Sequence, residues 1–310
     1  MHKRSSRWSD EPVLDKEGNP IVAHIRDNDL PILALHNRYR YIRSSYLQQF
    51  LKRYPTSLLK RLDLFQSQPN KFLHRPHQQA SQPNANYRHL IYELAPKGER
   101  VLRDLAQWSP EPPFGDQVLF EHSMMVNDSI QSLALQTKLV FFPAIAPGAD
   151  RFISVHVEHH FLKGLQKHHF DYYNDSNGVF AIDYGGTYRF LSLEAEHTNQ
   201  VDCGNLTKTS FLKKFLAIKY IMDNRLYHKT WAIPNMLTLV VTRSQARIDT
   251  MKDLILRITN GKGASYILFH IIPVMDDAFV KRFEPLPLFT TPWQRAGHGD
   301  FYLNEPTERR

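Results

Sequence analysis

In the N-terminal third, stretches of helical spacing alternate with short strand-like runs. Residues 1–28 are polar, with charges of both signs and a turn-like Glu17-Gly18-Asn19-Pro20, and they read as a flexible or loosely docked arm. From Leu30 onward, Ile32, Leu33, Leu35 and Tyr39 follow a helical period that breaks near Tyr41-Ile42-Arg43. Ser44 or Ser45 can cap a second helix, SYLQQFLKRY, with Tyr46, Leu47, Phe50 and Leu51 on one face. Pro55-Thr56-Ser57 opens a third, SLLKRLDLF, whose Leu58, Leu59 and Leu62 are expected to face a core. A leading helix followed by two short ones with a tight connection is the layout of a helix-turn-helix. Residues 71–75 and 87–94 then read as two strands of a hairpin around a polar loop at 76–86. A helix starting at Ala95-Pro96-Lys97-Gly98 closes this region. Residues 109–116, opening on Ser109-Pro110-Glu111-Pro112-Pro113, cannot be helix or inner strand and read as a linker. The expected first folded domain is therefore 29–108.

Beyond the linker the pattern alternates. Helices are expected at 118–136, 154–166, 206–224 and 245–260, and strands at 139–143, 178–184, 188–196, 236–242 and 265–273, with Gly185-Gly186 as a hairpin turn. This predicts an α/β domain with a mixed sheet over 117–275, followed by an extended tail over 276–310.

Charge changes the picture. Residues 1–110 hold 18 Lys and Arg against 10 Asp and Glu, whereas residues 111–310 hold 21 of each. The whole net charge of +8 therefore lies in the first third, which suggests that this part meets a polyanion. In a winged helix-turn-helix the third helix enters the major groove of duplex DNA. Here it would offer Ser57, Lys60 and Arg61. Around it, Arg38, Arg40, Arg43, Lys52, Arg53, Lys71, Arg75 and Arg88 are candidates for phosphate contacts. A lone cysteine, Cys203, excludes an intrachain disulfide framework and a multi-cysteine zinc site. No apolar run approaches a membrane span and the first residues lack an apolar signal core, so a soluble, cytoplasmic protein without membrane partners is expected. No glycine-rich phosphate cradle points to ATP.

Five segments carry a resemblance to a known family: YRYIRSSYLQQFL, LLKRLDLF, IYELAPKGERVL, EHSMMVNDSIQSLAL, and NGVFAIDYGGTYRFLSLEAEHTNQ followed by SFLKKFLAIKYI. Over about residues 30–260 the chain resembles the replication-relaxation proteins of plasmids and other mobile elements. The resemblance implies an N-terminal winged helix-turn-helix followed by a restriction-endonuclease-like α/β domain of the PD-(D/E)xK kind. It implies double-stranded DNA as partner, with replication, transfer or transposition proteins and a second copy of the chain as further partners.

A nuclease of that kind needs an Asp at the start of one strand, an acidic residue on the next, and a Lys two positions on, with divalent metal held between the carboxylates. Glu194 and Glu196 lie two apart on one expected strand and so share a face. Lys213 or Lys214 on the next helix offers a cation. The catalytic candidates are thus Glu194, Glu196 and Lys214, and the metal candidates Asp175, Glu194 and Glu196, with Mg²⁺ as cofactor only if the domain cuts DNA. Against this, Asn177 of Ser176-Asn177-Gly178 stands where the family has Asp, Asp183 lies at the far end of its strand, and the expected Lys is missing. A degenerate nuclease fold is therefore favoured. The runners-up are a metal-dependent endonuclease and a transcriptional regulator whose second domain oligomerises. His156 and His160, one turn apart on the expected helix, with His159, His168, His169 and Glu158 nearby, form a weaker metal candidate. Glu121-His122, at the start of the helix after the linker, is read as a helix-start acid beside a buried imidazole.

Overall fold

The computed structural model describes residues 10–80, 90–105, 120–141, 152–173, 179–196, 201–202, 204–273 and 284–305. Two compact units divide the chain: residues 1–131 with 274–285, and residues 132–273 with 286–310. The expected linker at 109–116 lies outside the described residues, and the dividing point falls inside a helix, α6.

In the first unit, α1 (Leu30–Tyr39) has Pro31 in its first turn, where a missing N–H is no loss, and buries Ile32, Leu33, His36 and Tyr39. Arg40 at φ 57° ends it. β1 (Ile42–Arg43) leads into α2 (Ser44–Leu51), which stops at Lys52, φ 50°. α3 (Pro55–Gln66) opens on proline and buries Leu58, Leu62 and Phe65. Leu59, expected in the core, is 36% exposed. One residue is 100° of helix, so Leu59 leaves the stripe that Leu58, Leu62 and Phe65 define.

β2 (Leu73–His74) follows, then a single helical turn, α4 (His77–Ala80), β3 (Ile91–Leu94) and α5 (Pro96–Asp104). The three strands pair antiparallel in the order β1-β3-β2, with Leu73 opposite Leu94 and Ile42 opposite Tyr92. α4 replaces the start of the loop read at 76–86, and its Gln79 Oε1 accepts the Ile91 N–H at 3.1 Å. Gly98 of α5 sits against β2: a Cβ there would lie 2.3 Å from the Phe72 carbonyl oxygen.

Residues 10–28, expected as a flexible or loosely docked arm, are docked on the rest of the first unit. Asn70 is fully buried, and its amide must find partners. It accepts the Ala23 N–H at 2.7 Å and donates to the carbonyls of Ile21 at 2.9 Å and Leu64 at 3.0 Å. Gln68 N–H donates to Asp10 C=O at 2.9 Å, so the arm runs along α3.

α6 (Phe120–Gln136) carries polar residues that the first unit uses. Asp128 accepts from Arg43 Nε and Nη2, each at 3.0 Å, and Gln131 Nε2 donates to the Tyr41 carbonyl at 2.9 Å.

The second unit is built on strands. After β4 (Leu139–Phe141) come β5 (Phe152–Phe161) and β6 (Gly164–Tyr173), then β7 (Val179–Asp183) and β8 (Tyr188–Ala195). α7 (Phe211–Asp223) and α8 (Leu226–Trp231) lead to β9 (Leu237–Thr242), and α9 (Gln245–Ile258) leads to β10 (Ala264–Ile271). β11 (Pro292–Ala296) and β12 (His298–Tyr302) close the chain. Among the described residues seven strands form one mixed sheet, β12-β11-β10-β9-β8-β7-β4, in which β8, β9 and β10 run parallel. The helical connections between parallel strands follow from the reach such a crossover requires.

Two expectations fail here. Residues 154–166 are not a helix: β5 and β6 make a separate antiparallel ribbon, ten paired positions long. Ile153, Val155 and Val157 turn inward while Ser154, His156 and Glu158 face out, a two-residue period. Residues 276–310 are not simply an extended tail, since β11 and β12 extend the sheet. Gly263, at φ +72°, allows the approach: a Cβ there would lie 2.0 Å from the Ala296 carbonyl oxygen.

Candidate functional site

The basic positions of the first unit separate into two groups. Arg43 is buried and gives its guanidinium to Asp128. Arg75, with only 8% of its side chain exposed, donates to Asp63 Oδ1 at 2.5 Å and lies over the Tyr92 ring at 5.3 Å. Arg61 donates through Nε to Asp29 Oδ1 at 3.1 Å and through Nη2 to the His24 carbonyl at 2.7 Å, and it stacks on Phe65 at 4.5 Å. All three were expected to meet DNA; Arg43 and Arg75 are engaged inside the fold, and Arg61 is engaged by the segment preceding α1. Positive charge counted along a sequence does not reveal whether the matching carboxylate, here Asp128, Asp63 or Asp29, comes from the same fold. Lys71 pairs with Asp10 and keeps a third of its side chain exposed.

Arg38, Ser57 and Lys60 remain at the surface. Ser57 Oγ donates to the Tyr54 carbonyl at 2.9 Å, bracing the first turn of α3. Arg40 lies 4.9 Å from the Tyr41 ring centroid. Arg88 lies outside the described residues. Sequence reasoning missed Tyr54, which stands just before α3 and is 84% exposed. Thr56, Ser57 and Lys60 give α3 an exposed face with hydroxyls and an ammonium, and the Tyr54 ring stands exposed ahead of its first turn. Helical phase places 57 and 60 away from Leu58 and Leu62, whereas 54, four residues before Leu58, shares their phase and is exposed as the residue ahead of the helix.

In the second unit Glu194 and Glu196 share one face of β8, as their spacing predicts, and both are almost fully buried, at 4% and 3% exposure. They point to different partners. Glu194 Oε2 accepts from Lys214 Nζ at 2.5 Å, and its Oε1 accepts from the Tyr172 hydroxyl at 3.3 Å. Burial, reinforced by the Glu194 carboxylate, raises the Tyr172 phenol well above its ordinary pKa, so it stays a donor. Glu196 Oε1 accepts from Arg247 Nη2 at 2.6 Å and its Oε2 from Thr242 Oγ1 at 2.8 Å. Each carboxylate thus has its own cation, one from the first turn of α7 and one from α9.

Asp183 is committed elsewhere. Its Oδ1 accepts the N–H groups of Gly185 and Gly186, each at 2.9 Å, and its Oδ2 accepts from Lys138 at 2.7 Å. The Gly186 N–H and then the Lys138 ammonium hold the carboxyl below its usual range. It shapes the β7–β8 turn, where it pairs with Tyr188, six residues along β8 from Glu194. Asp175 and Asn177 lie outside the described residues.

Of the expected Mg²⁺ set Asp175, Glu194 and Glu196, the two glutamates are described and each is paired with a cation. Among the described residues no three His, Cys, Asp or Glu side chains converge as a metal set. Glu194 and Glu196 already have their charge matched by Lys214 and Arg247. The histidines do not make a helical pair either. His156 and His160 lie four residues apart on a strand, while His156 stands opposite His169 with the rings stacked at 4.3 Å. His169 Nε2 lies 2.6 Å from Ser154 Oγ. Cys203 lies outside the described residues. His122 is buried near the start of α6.

No helix among the described residues is long and apolar enough to cross a membrane. Comparison with protein-family models, with characterised proteins and with solved structures finds no match to this chain.

Proposed function

We propose that this protein binds double-stranded DNA through its first unit, a winged helix-turn-helix in which α3 is the reading helix and the β2–β3 hairpin the wing. The observation that carries the reading is the outward face of α3. Ser57 and Lys60 stand exposed on a helix whose opposite face is locked by Leu58, Leu62 and Phe65, and Tyr54 stands exposed just ahead of its first turn. That face belongs to the third of the chain that holds all of its excess positive charge. Hydroxyl, ammonium and ring are the groups that contact phosphates and base edges. The sequence resemblance to replication-relaxation proteins sets the binding in replication, transfer or recruitment on a mobile element.

In this reading the second unit is nuclease-like in descent and works by assembly, because its paired carboxylates serve as internal ion pairs. The test is binding of the full chain to labelled duplex DNA at increasing salt. Lys60→Ala is expected to weaken binding roughly five- to tenfold near 0.1 M salt and to lower the salt slope by about 1. Binding that ignores Lys60 and Tyr54 would place the interface elsewhere.

A further inference from the structure

The arm preceding α1 is acidic: residues 10–29 hold six Asp and Glu against Lys16 and Arg26. It lies along α3 from end to end, and besides its neutral hydrogen bonds to Asn70 and Gln68 it takes up three cations there. Asp10 pairs with Lys71 past the C-terminal end, His24 C=O and Asp29 take Arg61 in the middle, and Asn28 C=O takes Arg53 ahead of the first turn. Apolar burial contributes little to this attachment. Leu14 and Val22 remain exposed, and Ala23 is the buried apolar side chain of residues 10–28. A segment held by ion pairs and hydrogen bonds to a basic flank is held by forces that salt or a stronger polyanion can replace.

We propose that the flank of α3 bearing Arg53, Arg61 and Lys71 is a docking surface for a nucleic-acid phosphate backbone, and that the acidic arm occupies it in the free chain. The inference rests on the DNA-binding reading and adds to it a second, covered set of phosphate contacts. The arm's carboxylates and carbonyls stand where phosphate oxygens would: they accept hydrogen bonds from guanidinium and ammonium donors, the chemistry of backbone recognition. DNA that displaces the arm gains up to three cations, each adding about 0.9 to the dependence of log K on log salt.

The test compares three full-length proteins on one labelled duplex by fluorescence anisotropy from low to high salt. One is the natural chain. The second carries Asp10→Asn, Glu11→Gln, Asp15→Asn and Glu17→Gln, all at exposed positions. The third carries the same charge change in the second unit, through Glu158→Gln, Asp223→Asn, Asp249→Asn and Asp253→Asn, also exposed. The arm variant is expected to bind about tenfold tighter than the control variant near 0.1 M salt, with a slope steeper by about 1–2. Adding Lys71→Ala should cost several-fold in the arm variant and little in the natural chain. Equal affinities for arm and control variants, or a Lys71→Ala effect of the same size in both backgrounds, overturns the covered surface and leaves DNA binding standing. Absence of salt-sensitive binding by all three proteins overturns the DNA-binding reading, and this inference with it.

Discussion

Desolvation holds the imidazole of His36, on the inward face of α1, at a pKa of about 4, well below the ordinary 6.5. Its Nδ1 lies 2.7 Å from the Ile32 carbonyl, and the Tyr92 ring stands edge-on at 6.4 Å. Because the folded pKa is the lower one, this neutral histidine's contribution to stability is complete above pH 6.5. It is lost as pH falls toward 4, by about 3 kcal/mol in all. Denaturant melts at pH 7 and pH 4.5 should show that loss in the natural chain and much less of it in His36→Leu. An equal drop in both proteins would assign the acid sensitivity elsewhere. Gly98 makes a second prediction of this kind. With the Phe72 carbonyl 2.3 Å from where a methyl would be, Gly98→Ala should destabilise the first unit by roughly 1–3 kcal/mol, read as a lowered melting midpoint. Asp128→Asn should cost about 3 kcal/mol, because it removes the carboxylate that neutralises buried Arg43.

Among elements, legibility followed how local the signal was. α3 announced itself by Pro55 and a clean apolar stripe, and the β7–β8 hairpin by Gly185-Gly186 between alternating runs. The β5–β6 ribbon was misread because His156 and His160 suggested a helical turn, although Ile153, Val155 and Val157 already carried the alternation of a half-buried strand. β11 and β12 were hidden by Pro292 and the surrounding aromatic residues, and their place in the sheet depends on β10, which no local pattern shows. The same limit governed the candidate site. The shared face of Glu194 and Glu196 was readable from β8 alone, but their engagement by Lys214 and Arg247 requires the helices that the crossovers bring over the sheet. These carboxylates yield an element-scale prediction. Glu194→Ala and Glu196→Ala should each lower the melting midpoint while leaving DNA affinity unchanged, and no Mg²⁺-dependent cleavage of supercoiled plasmid should accompany the natural chain. Cleavage that Glu194→Ala abolishes would restore the nuclease.

At the scale of the whole chain, charge partition survives the loss of individual candidates. Arg43 and Arg75 are paired inside the fold and Arg61 is paired with Asp29, yet the acidic residues that neutralise Arg61 and Arg75 were already counted in the N-terminal third, so the net excess there stands. Arg38, Lys52, Lys60 and Lys97 lie exposed in the first unit, whereas residues 111–310 carry equal numbers of acidic and basic side chains. The measurement that tests this account most directly is the salt dependence of duplex binding by the full chain, taken beside Lys60→Ala and Tyr54→Ala. The account predicts salt-sensitive binding that both substitutions weaken, with the slope reduced by about 1 for Lys60→Ala alone. Duplex binding that is absent at low salt, or indifferent to both α3 substitutions, would contradict it.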